Sequence, residues 1–145
     1  LAPRFLVGGG QLPRVSPDRQ PGGEATGFGP RIGLEIVERE AGYSRGELAV
    51  SDDLLNANGV LHGSVTHAMA DTGMGAALVP DLRDGESCAT IEIKISYLRP
   101  VFEGRLVCET RIRHRGGAVA FLESEVTKDG ETVAHATGSY AIFEV

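Results

Sequence analysis

A chain of 145 residues suits one domain with room for a real core. Its 41% hydrophobic and 23% charged residues are ordinary for a globular protein, and its longest apolar-leaning stretch, Val65 to Val79, is too short and too polar to span a bilayer. A net charge of -6 excludes general nucleic-acid binding, which requires a basic face.

Residues 1–30 hold five of the seven prolines, with Gly8-Gly9-Gly10 and Gly22-Gly23, and read as an irregular N-terminal extension ahead of one domain over 31–145. Their opening apolar run is too short for a signal peptide. From Ile32 the pattern becomes regular. Ile32 to Glu40 and Arg45 to Ser51 read as strands joined at Gly42, Leu54 to Leu61 as a loop, and Gly63 to Val79 as a helix stopped by Pro80. That helix carries Ala68, Ala70, Gly73, Gly75, Ala76 and Ala77, which cost propensity at the glycines but allow close approach to a sheet. Four strands follow. In Thr90 to Leu98, Ile91, Ile93, Ile95 and Tyr97 alternate with Glu92, Lys94 and Ser96, a period of two. Arg105 to Arg113 comes next. Ala118 to Lys128 follows Gly116-Gly117, and Thr132 to Phe143 follows the hairpin signal Asp129-Gly130. The order predicts an α+β fold, an antiparallel sheet curled around one long helix.

Cys88 and Cys108 have no CxxC spacing and read as free thiols of a cytoplasmic protein; His62, His67, His114 and His135 lack zinc-type spacing, so no metal is expected. Lys94, Arg99, Arg105, Arg111, Arg113 and Arg115 face only Glu103 and Glu109 between residues 94 and 115, a local charge of +4. Such a strip suits a small polyanionic ligand, and equally suits solvated strand faces.

The densest chemistry lies between Asn56 and Thr72. His62-Gly63-Ser64 stands where the helix begins, at the positive end of its dipole. Gly63 would let a carbonyl approach that amide, and such a donor is typically worth ~3–4 kcal/mol at a developing oxyanion. The same residues read equally well as a turn. Asp71 follows eight residues later, about 12 Å along the axis at 1.5 Å per residue. The two cannot touch one carbonyl within a single chain. If both are catalytic, Asp71 meets the Gly63 of a neighbouring subunit, and the active unit is at least a homodimer with two equivalent sites. The plainer alternative pairs Asp71 with His67, four residues earlier on the same helical face.

The pattern Asn56-x-x-Gly59-x-x-His62-Gly63-Ser64, then Asp71, then Thr90 to Pro100 (TIEIKISYLRP), resembles the PaaI-type acyl-CoA thioesterases of the hotdog-fold superfamily over about residues 30 to 145. The resemblance implies a sheet wrapped around a central helix and hydrolysis of an aryl- or medium-chain acyl-CoA to free acid and coenzyme A, without a cofactor. It implies that the Gly63 amide polarises the thioester carbonyl, with Asn56 assisting on the carbonyl or the sulfur. Asp71 of the partner subunit would serve as base or nucleophile, and Thr90 would hold the attacking water. His62 and Ser64 would shape the substrate loop, and Arg113 and Arg115 would face the coenzyme A phosphates. It also implies dimers paired into tetramers. Two positions depart from the family: Ser64 stands where a second glycine is common, and Gly117 replaces a basic residue. Two other readings of the same fold are a hydratase or dehydratase using His62 and Asp71, and a non-catalytic acyl-CoA sensor.

Overall fold

Alternating apolar and polar residues from Leu34 onward build six strands in the computed structural model, which describes residues 27–145. They are β1 (Leu34–Glu40), β2 (Tyr43–Ala49), β3 (Glu86–Tyr97), β4 (Arg105–Arg115), β5 (Val119–Lys128) and β6 (Glu131–Glu144). All pair antiparallel in one sheet of order β1-β2-β4-β5-β6-β3. The long helix, α2 (Gly63–Leu78), follows a single turn, α1 (Phe28–Arg31), and runs into a 3-10 turn at Val79–Asp81. Because α2 touches every strand, the sheet must curl around it, which is the α+β architecture the sequence predicts.

Most boundaries differ from expectation by one or two residues, β2 for example spanning Tyr43–Ala49 and not Arg45 to Ser51, and three differences have a clear bearing on the fold. The turn α1 falls inside the segment expected to be irregular, whose first 26 residues lie outside the described part. Strand β3 begins at Glu86, not Thr90, because its first residues pair with the end of β6, from Glu86 opposite Glu144 to Thr90 opposite Tyr140. The helix stops at Leu78, one residue early, as Pro80 enters the 3-10 turn.

The small residues of α2 do bring it close to the sheet. A Cβ on Gly73 would lie 2.6 Å from Thr110 Oγ1, an impossible contact, so glycine is required there. Ser44 Oγ donates to the Gly73 carbonyl at 2.7 Å, and Thr110 and Ser124 share a hydrogen bond of 2.7 Å, so these buried hydroxyls are satisfied. Met69, Met74 and Leu78 fill the space on either side, fully buried against Leu48, Leu106 and Leu122. Burying each such side chain is worth roughly 1.5–3 kcal/mol. One stripe of the helix is not covered. His67, Asp71 and Gly75, one turn apart, are only half-buried.

The simple alternation read in β3 is broken. Thr90 sits opposite Tyr140 and Glu92 opposite Ser139, so Ile91 is an extra residue, a bulge. Beyond it Ile93 and Ile95 pack inward as the alternation requires, whereas Ile91 is 50% exposed. Before it the parity is reversed. Thr90, which strict alternation places on the outer face with Glu92 and Lys94, turns inward toward α2.

Candidate active site

The loop ahead of α2 is shaped by its own backbone. Asn56 Oδ1 accepts from the Asn58 N–H at 2.9 Å and the Val60 N–H at 3.3 Å, while the Asn56 N–H donates to the Val60 carbonyl at 2.7 Å. Gly59 closes this turn at φ 71°, a left-handed conformation that favours glycine. The loop is then pinned, with the Leu61 N–H on the Val101 carbonyl (2.7 Å) and the His62 N–H on that of Leu54 (2.9 Å). The oxygen of Asn56 is therefore committed to the turn, and its amide N–H groups are what it can offer a ligand.

His62 caps the helix. Its Nδ1 accepts from the Ser64 N–H at 3.1 Å and lies 2.7 Å from Ser64 Oγ. An imidazole whose Nδ1 accepts a backbone N–H is neutral with its proton on Nε2, hence a donor. That assignment disfavours His62 as the base of a hydratase. The Gly63 N–H has no partner among the described residues, and no acidic side chain lies in the first turn to compete for the helix dipole. A Cβ on Gly63 would stand 3.0 Å from the Tyr97 ring, a tight contact that a side chain here could make only if the phenol shifted. Around this amide lies a groove of about 350 Å3, walled by Val60, Leu61, Thr66, Tyr97, Leu98, Val101 and Val133, with Arg99 among its lining residues. An unpaired donor beside an apolar groove can receive a carbonyl oxygen whose substituent is apolar.

Asp71 is held by two hydroxyls. Thr90 Oγ1 donates to its Oδ1 at 2.9 Å, and Tyr140 Oη lies 2.6 Å from the same oxygen and 2.9 Å from the Asp71 carbonyl. The alternative of a pair with His67 is not realised; the carboxylate turns to the sheet instead. Its Oδ2 has no hydrogen-bond partner among the described residues. Tyr140, only 3% exposed, has its phenol held well above the usual value by burial and then by the neighbouring carboxylate, so it remains a donor at all physiological pH.

Sequence reasoning missed Tyr140. Its signal was present: in β6 it shares the inward parity of Ala134, Ala136 and Gly138, and a buried phenol among small residues needs a polar partner.

Within one chain the structure thus unites Asp71 with Thr90 and His62 with Ser64, and sets Gly63 in the groove; Gly63 and Asp71 stay two turns of helix apart. The two arginines expected at phosphates are engaged elsewhere. Arg115 is largely buried, and its three guanidinium nitrogens meet Asp81 (3.2 Å), Glu86 (2.5 Å) and the Gly116 carbonyl (2.6 Å). Arg113 faces Glu123 at 3.2 Å on the outer face of the sheet, where His135 also meets that carboxylate at 2.7 Å. Arg99, Arg105 and Arg111 likewise lie near carboxylates, Glu131 at 3.9 Å, Glu47 at 2.9 Å and Glu109 at 3.9 Å, while their side chains stay exposed.

Residues 58–135 match the family model of the Thioesterase superfamily. An esterase of Deinococcus radiodurans, named as such by inference, is 32% identical over 137 residues, covering 91% of this chain and 90% of its own. The acyl-coenzyme A thioesterase PaaI of Escherichia coli is 27% identical over 105 residues, covering 71% of this chain and 73% of its own. Among solved structures, a conserved protein of Pseudomonas aeruginosa superposes with a TM-score of 0.78 at 28% identity, over 82% of this chain and 95% of that one.

Proposed function

Because this chain belongs to the thioesterase superfamily, with the PaaI-like hotdog fold that its motifs resemble, we propose that it hydrolyses an aryl- or medium-chain acyl-CoA to the free acid and coenzyme A. The observation that carries this reading is the unpaired Gly63 N–H beside an apolar groove, at the positive end of α2. The thioester carbonyl accepts from that amide, and the Asn56 amide donates to the carbonyl oxygen or the sulfur. Asp71 of the partner subunit supplies Oδ2, as base toward a water or directly as nucleophile; both need the same ionised carboxylate. In the base route the proton that Asp71 takes from water passes to the departing thiolate as the tetrahedral adduct collapses. Thr90, while donating to Asp71 Oδ1, retains lone pairs that accept from that water.

About 12 Å separates Gly63 from Asp71 along one helix, so each site draws on two chains and the active unit is at least a homodimer. The resemblance to the PaaI-type family implies that such dimers pair further into a tetramer. The half-open stripe of His67, Asp71 and Gly75 supports this, since it leaves that side of α2 uncovered by its own chain. Coenzyme A esters place the work in the cytoplasm. The chemistry asks for water and these side chains, with no cofactor. Arg115 contributes from its buried cluster with Asp81 and Glu86 by bracing the fold, whereas Arg113, paired with Glu123 yet 57% exposed, can meet the coenzyme A phosphates.

The test is thiol release from a panel of aryl- and alkyl-acyl-CoAs, wild type beside Asp71→Ala. Turnover of at least one ester, falling at least a hundredfold in the variant, is expected of a lost general base or nucleophile. Near-normal turnover in Asp71→Ala would sink the mechanism. Binding of the esters without any hydrolysis would instead favour the sensor.

A further inference from the structure

We propose that Tyr140 is a positioning residue for the reaction: with Thr90 it clamps Asp71 Oδ1, so that Oδ2 alone is presented, ionised, to the reacting centre. The inference rests on the thioesterase reading above. It is carried by three features. Thr90 and Tyr140 are directly opposed across the β3–β6 ladder, and the bulge at Ile91 turns Thr90 inward to join Tyr140 beneath the same turn of α2. Both hydroxyls converge on one carboxylate oxygen, at 2.9 and 2.6 Å, while the other has no partner among the described residues. Tyr140 Oη also lies 2.9 Å from the Asp71 carbonyl, which sets the phenol directly against the turn of α2 that carries Asp71.

The arrangement has chemical consequences. A tyrosine has a single hydroxyl proton, and the shorter contact, to the charged oxygen, is the stronger. Two hydroxyl donors on Oδ1 prevent the carboxyl group from rotating to exchange its oxygens. Tyr140 thus aims the carboxylate, and the group acting on the substrate remains Asp71. An unassisted helical Asp would sample several rotamers, and a misplacement of about 1 Å can cost on the order of a hundredfold in rate.

The experiment measures kcat and KM separately for the best acyl-CoA substrate, in wild type, Tyr140→Phe, and protein carrying 3,5-difluorotyrosine at position 140. Tyr140→Phe keeps the buried ring and removes only the donor, so the fold and the oligomer are retained. Its kcat falls about tenfold with KM little changed, as expected when orientation and not binding is lost. The fluorinated phenol keeps the donor and keeps kcat near the wild-type value. A Tyr140 that only fills space would leave kcat unchanged in Tyr140→Phe, and an unchanged kcat there overturns the proposal. Full activity in Asp71→Ala would instead overturn the thioesterase mechanism itself, so the two failures are distinct.

Discussion

At the scale of single residues, the site depends on what is missing as much as on what is present. Gly63 offers its amide because it has no side chain, and the Tyr97 ring occupies the space a Cβ would need, 3.0 Å away. Gly63→Ala keeps the N–H but drives the phenol, itself 57% exposed, across the groove. Such overpacking costs about 1–3 kcal/mol in a rigid site, so kcat/KM is expected to fall by roughly tenfold or more while the fold survives. Adding Tyr97→Ala removes the obstacle and should restore part of the activity; a double variant no better than the single one would refute the steric account. Asp71 is legible from its place in an apolar helix, yet its partners are not. The helical i,i+4 rule nominates His67, whereas the hydroxyls that hold it come from 19 and 69 residues away.

At the scale of elements, strand parity decides which residues face the helix. A strict period of two sends Thr90 outward with Glu92, and the one-residue bulge at Ile91 brings it in. The Arg115 cluster works at the same level. It joins the end of β4 to the turn after α2 and to the start of β3, through Asp81 and Glu86. The Arg83 N–H donates to Glu86 at 2.9 Å and, with Arg115 beside it, holds that carboxyl below its ordinary 4.5. The native state therefore binds this proton less readily than the unfolded chain. The stabilisation is present above pH 4.5 and is lost as the pH falls through the lower native value. Glu86→Gln should lower the urea midpoint at neutral pH, and the difference from wild type should shrink at about pH 3. An equal deficit at both values would mean that the carboxylate charge contributes nothing.

For the whole molecule, the decisive matter is whether Gly63 and Asp71, two turns apart on one helix, serve one substrate. If Gly63 and Asp71 act across a subunit boundary, two inactive variants contain complementary halves. Mixing Asp71→Ala with Gly63→Pro under subunit exchange makes about half of the dimers hybrid, each with one intact site. About a quarter of wild-type activity should appear, where the separate variants show almost none. No recovery despite demonstrated exchange would mean that Gly63 and Asp71 do not serve one site.

The sequence by itself determined the order of elements, the long small-residue helix and the N-terminal amide, because these depend on local periodicity and on backbone chemistry within a few residues. It pointed also to Asp71, since a carboxylate on an apolar helix is conspicuous whatever surrounds it. The family could be read for the same reason, its motif lying in a short loop and one helix. Only the tertiary structure decided the bulge at Ile91, the inward turn of Thr90, the clamp from Tyr140 and the diversion of Arg115 to Asp81 and Glu86. Each of these is set by pairing between segments far apart in the chain, where register and burial, not local preference, select the partner.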